Sequence, residues 1–165
     1  MKTVFLDYQT FSKSLSLSSL NQTVDELTLY ATTSPEQVIA RCQNAAIILT
    51  NKVELSREML NQLPQLKLIC ITATGINNVD IQAARELNIA VTNVSGYAKN
   101  SVAQYVFSQL LAYYSQAEHH NANCQNGLWQ KSATFCLHGH GSNELAGKAI
   151  AIIGYGALGN KVADI

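Results

Sequence analysis

The sequence predicts an α/β protein built on a parallel sheet, and two observations predict it. Short apolar runs alternate with amphipathic stretches along the first hundred residues, and a later apolar run leads straight into a glycine-rich turn. The strand candidates are TVFLD (3–7), ELTLYA (26–31), AAIILT (45–50), LKLICIT (66–72) and IAVTN (89–93). Between them, 34–43 opens with Ser34-Pro35-Glu36, a good helix start because proline fits the first helical turn. Residues 55–63 and 79–87 carry apolar side chains at helical spacing. Together these elements make a small doubly wound α/β domain.

Residues 101–118 form the strongest predicted helix. Val102, Val106 and Leu110 repeat at i+4 beside Ala103, Phe107, Leu111 and Tyr114, a wide apolar face that is expected to be covered on more than one side. The segment 119–143 is polar and aperiodic, with Asn121, Asn123, Asn126, Gly127, Gly139 and Gly141, and reads as an extended arm or loop. Lys148-Ala-Ile-Ala-Ile-Ile153 then reads as a buried strand. There is no internal repeat and no low-complexity tract.

The 165 residues are 47% hydrophobic and 13% charged, the profile of a soluble globular chain able to bury one full core. Lys plus Arg equals Asp plus Glu at 11 each, so no general field draws the protein to nucleic acid or to an anionic membrane. Met1–Asp7 reaches an acid before any apolar run long enough for a signal peptide, and no stretch approaches the ~18 apolar residues of a membrane span. A cytoplasmic protein is expected. Cys42, Cys70, Cys124 and Cys136 contain no C-x-x-C pair and are read as reduced.

The strand at 148–153 runs into Gly154-Tyr155-Gly156-Ala157-Leu158-Gly159, a G-x-G-x-x-G between strand and helix start, as a Rossmann turn requires. Gly154 permits the tight turn, Gly156 lets the backbone approach a pyrophosphate, and Gly159 lets helix and strand pack closely, while free N–H groups at the helix start face the anion. The same glycines would also serve a ligand-free strand–helix junction. The acid that holds the ribose in this fingerprint lies ~20 residues further on, so NAD and NADP are not distinguished.

With those elements in place, the order LKLICITATGINNVD (66–80), NIAVTNVSGY (88–97), SVAQ (101–104), GLW (127–129), ELAGK (144–148) and GYGALG resembles the D-isomer-specific 2-hydroxyacid dehydrogenases. TGINNVD, the GY-x-x-x-SVAQ run and FCLH (135–138) look most like the glycerate dehydrogenase, or hydroxypyruvate reductase, branch. The resemblance implies a flavodoxin-like doubly wound substrate domain over 1–98. It implies that 99–165 holds an interdomain helix, a dimerisation arm and the start of a Rossmann dinucleotide-binding domain for NAD or NADP. It further implies that the backbone at Thr74 and Gly75 receives the carboxylate of a 2-oxo or 2-hydroxy acid, with the loop Asn51-Lys52 nearby. Val102 would line the nicotinamide pocket.

Free N–H groups after a parallel strand can hold a carboxylate, although a Thr-Gly pair also serves an ordinary loop, and Asn77 and Asn78 read as turn and cap residues. Lys99 stands where many relatives carry a threonine that contacts the nicotinamide side, so that contact is not carried over. Gln104 replaces the glutamate of other branches. The resemblance places the histidine acid, its carboxylate partner and the arginine far beyond residue 165, so no catalytic residue is expected in this chain, which reads as truncated, inactive alone and a weak holder of dinucleotide at best. Cys124, Cys136, His138 and His140, with His119 or His120, match no standard zinc spacing. Besides the dehydrogenase, two readings stay open: a non-enzymatic remnant that binds small acids or a partner, and an unrelated flavodoxin-like binding module.

Overall fold

The computed structural model describes residues 1–139 and 141–165 and separates them into two compact units, Met1–Ser95 and Gly96–Ile165. The first unit is a five-stranded, wholly parallel sheet in the order β2-β1-β3-β4-β5. Its strands are β1 (Lys2–Phe5), β2 (Glu26–Leu29), β3 (Ile47–Thr50), β4 (Leu68–Ile71) and β5 (Ala90–Asn93), one on each predicted run, with β1 starting a residue before its own. Val4 pairs with Thr28 on one side and Ile48 on the other, Ile48 pairs with Ile69, and Ile69 with Val91. The strand order reverses direction between β1 and β3, the flavodoxin-like arrangement.

Burial follows position in the sheet. Val4, Ile48, Ile69 and Ile71 on the three inner strands and Leu6 just beyond β1 are buried, and the edge strands are more exposed. The helices that close over the core are α2 (Pro35–Cys42), α3 (Arg57–Leu60) and α4 (Ile81–Glu86), which bury Val38, Leu60, Ala83 and Ala84. Pro35 is at the start of α2, and the Gln37 side chain accepts from Ser34 N at 3.1 Å. Asp80 caps α4 by accepting from Ala83 N at 2.8 Å. Asn88, at φ 58°, ends α4. It places its N–H on Arg85 O and the N–H of Ile89 on Ala84 O, a Schellman closure that turns the chain into β5 and buries Ile89. A short polar helix, α1 (Ser18–Thr23), has no counterpart in the sequence prediction.

The second unit corrects three expectations. The predicted helix is α5 (Lys99–Ser115), but only Ala103 on it is fully buried, and Tyr105, Leu111 and Tyr113 are exposed, so its apolar face is not covered on several sides. The expected arm begins instead with a helix, α6 (Ala117–Gln125), set off from α5 by Gln116 in the left-handed region at φ 52°. The expected strand 148–153 pairs with no other strand among the described residues, and Ile150 is 55% and Ile153 102% exposed. A strand exists through its ladder, and among the described residues this unit holds no second strand to supply one. The last helix is α7 (Ala157–Ala163), which packs on α5. Among the described residues, no helix is long and apolar enough to cross a membrane.

Candidate functional site

Two loops at the carboxyl end of the sheet carry the predicted acid-binding residues. The loop after β4 is tied to the end of β5. Thr74 Oγ1 donates to Val94 O at 2.9 Å, Asn93 Nδ2 donates to Thr74 O at 2.8 Å, and Val94 N donates to Ala73 O at 3.0 Å. All of Thr74's side-chain bonding therefore serves the loop. The backbone N–H groups of Thr74, Gly75, Ile76, Asn77 and Asn78 find no acceptor among the described residues. They form a row of donors, exposed from Thr74 to Asn77 and half-buried at Asn78, where parallel sheets bind ligands. Gly75 is confined, because a Cβ there would meet Asn77 Oδ1 at 3.1 Å.

The loop after β3 is built the opposite way. Asp7, just beyond β1 and only 4% exposed, accepts from Asn51 N at 2.9 Å and Lys52 N at 2.6 Å. Thr50 Oγ1 lies 3.4 Å from the same carboxylate and accepts from Val53 N at 3.0 Å. The backbone amides of Asn51 and Lys52 are thus occupied, which leaves the half-buried Asn51 side chain and the exposed Lys52 side chain to meet a ligand. Lys52 lines a groove of about 300 Å³ with Asp7, Thr10, Thr32, Thr33 and Glu54. A larger groove of about 550 Å³ lies between the loops at 54–58 and 77–80 and includes none of Asn51, Lys52, Thr74 and Gly75.

In the second unit, Gly154 adopts φ +94°, which L side chains rarely reach, and Gly156 is the N-cap of α7. A Cβ on Gly159 would overlap the carbonyl oxygen of Gly154 and come within 3.0 Å of Ile152 Cγ2, so α7 lies against the turn as closely as a backbone allows. A Cβ on Gly156 would meet nothing within 4 Å. The amides of Ala157, Leu158 and Gly159 have no acceptor among the described residues. Tyr155 and Leu158 are exposed. Val102 is half-buried on α5, its N–H bonded to Ala98 O.

Sequence reasoning missed Asp7 and Asn93. The only local signal for Asp7 was a lone acid closing an apolar run. Of the imagined zinc set, Cys136 Sγ and His138 Nε2 lie 3.4 Å apart, no group of three ligand-type residues gathers among the described residues, and His140 lies outside them. The four cysteines are free thiols, and burial pushes that of Cys42 up to about 12.

The described residues thus hold a parallel α/β sheet with free amides beyond its carboxyl end and, in the second unit, a G-x-G-x-x-G turn that opens a helix. The D-isomer specific 2-hydroxyacid dehydrogenase catalytic domain matches residues 7–146, and the chain belongs to that family. It is 36% identical to glycerate dehydrogenase of Methylorubrum extorquens, over 98% of this chain and 51% of the relative. It is 35% identical to hydroxypyruvate reductase of Blautia hydrogenotrophica, over 81% and 41%. The structure of a 2-hydroxyacid dehydrogenase from Ketogulonicigenium vulgare matches with a TM-score of 0.79 at 20% identity, over 99% of this chain and 50% of that one. An NAD-dependent formate dehydrogenase from Staphylococcus aureus, solved with NAD, gives 0.70 at 26% identity, over 99% and 51%. The chain spans about half the length of the curated relatives it matches.

Proposed function

We propose that this chain supplies the acid-binding domain and the first phosphate-binding turn of an NAD(P)-dependent oxidoreductase of D-2-hydroxy acids of the glycerate and hydroxypyruvate kind. The observation that carries the reading is the row of unpaired amides from Thr74 to Asn78 at the carboxyl end of β4. Such a row stabilises a carboxylate through several charge-assisted hydrogen bonds, and the ties from Asn93 and Thr74 hold it in place beforehand. Lys52 adds the cation that draws an anionic substrate in, and Asn51 stands beside it.

The second unit fits a dinucleotide on its own geometry. Gly156 leaves open the space a pyrophosphate needs, the free amides of Ala157, Leu158 and Gly159 supply its donors, and Gly154 and Tyr155 shape the turn. The chemistry that a nicotinamide cofactor supplies there is hydride exchange with C2 of the acid. Val102 offers an apolar wall on α5.

We assign residues 1–98 to the substrate domain and 99–165 to the interdomain helix, the dimerisation arm and the opening of the nucleotide domain of a cytoplasmic homodimer. The 165-residue chain alone is proposed to be inactive and to hold NAD or NADP weakly, because its turn is open on the side where ligand surface must be buried. Titration of D-glycerate into the 15N-labelled chain tests the reading. The amides of Thr74–Asn78 should shift together, without NADH oxidation on hydroxypyruvate above a blank. Shifts confined to other loops would refute the acid site, and steady turnover would refute inactivity.

A further inference from the structure

Asp7 is buried, carries a carboxylate and forms no ion pair among the described residues. Its charge is balanced by backbone amides reached across 44 and 45 positions of sequence. A turn needs no such distant partner, since Thr50 already caps it locally by accepting from Val53 N. The extra bonds tie the end of β1 to the loop after β3, at the place where the strand order reverses and ligands of such sheets bind. They also occupy the backbone amides of Asn51 and Lys52, so that Lys52 reaches a ligand through its ammonium, which is without an ion pair among the described residues and belongs to the lining of the groove.

We propose that Asp7 is the positioning residue of the acid site, fixing the loop from which Lys52 meets an anionic substrate. The proposal rests on the reading of Lys52 given above. A double-mutant cycle with D-glycerate as probe tests it, using the 165-residue chain, its D7N and K52M variants and the double variant, each checked for fold by circular dichroism. Asparagine keeps the shape of the side chain and puts an NH2 where an amide must be accepted. D7N should weaken D-glycerate about threefold or more beside Lys52, and should add nothing in the K52M background. Equal weakening in both backgrounds, or none in either, would overturn the proposal, because Asp7 would then act on the fold or not at all. If the Lys52 side chain responds to D-glycerate and the Thr74–Asn78 amides do not, the carboxylate reading fails and the cycle still decides the role of Asp7; if neither responds, both fall. Should D7N not fold, hydrogen exchange of the unaltered chain decides. Protection of the Asn51 and Lys52 amides beside fast exchange at Thr74–Asn78 supports the pin, and fast exchange at both overturns it.

Discussion

Gly156 and Gly159 stand three residues apart and should respond oppositely to an added side chain. At Gly159 a methyl group would enter the carbonyl oxygen of Gly154, so Gly159→Ala is expected to push α7 off its turn at a cost of about 1–3 kcal/mol. Faster hydrogen exchange across α7 would show it, and unchanged protection would refute it. At Gly156 there is room, so Gly156→Val should leave the fold intact. In a chain of the relatives' length it should weaken NADH or NADPH binding more than tenfold, about 1.4 kcal/mol, by calorimetry. Equal affinity would make the turn a structural junction only. The geometry of this turn was legible in the sequence because it is local, set by near neighbours in the chain. Thr74 and Gly75 were legible as a loop after a strand, whereas their clamp by Asn93 and Val94 was not, since it forms only when β5 lies beside β4. Asp7 was hidden for the same reason.

Every strand of the first unit was visible beforehand, because a short aliphatic run between amphipathic stretches has few other ways to bury itself. The misreadings fall where an element depends on something other than its own pattern. Helix α6 is polar nearly all round, so no periodicity announces it. Residues 148–153 have a strand's composition without a ladder. Between elements, Arg57 on α3 holds Glu86 on α4 at 2.5 Å, and the guanidinium, with the Gln82 amide behind it, keeps the Glu86 carboxyl below its ordinary range. A carboxyl so depressed contributes stability that is present above its unfolded pKa and is lost as pH falls through the lower folded value. The pair is solvent-exposed, so the contribution is small. Arg57→Gln should raise the Glu86 titration midpoint followed by 13C NMR, and an unmoved midpoint would show that the ion pair does not form in solution.

The two units differ in how much apolar surface they leave in water. Tyr105, Leu111, Tyr113, Trp129, Phe135, Ile150 and Ile153 of the second are all exposed. Surface of this kind is rarely left uncovered, so the 165-residue chain is expected to self-associate, with a dimer or larger species in sedimentation velocity. A compact monomer over a wide concentration range would count against the dimerisation arm. The first unit has a different dependence, set by the place of β1 between β2 and β3. During synthesis β1 leaves the ribosome before either neighbour exists, and its second partner is complete only at Thr50. Strand β1 must therefore wait unpaired while the segments that will enclose it are still being translated. An inner strand, β1, thus stays open to a nascent-chain chaperone until both of its neighbours have emerged.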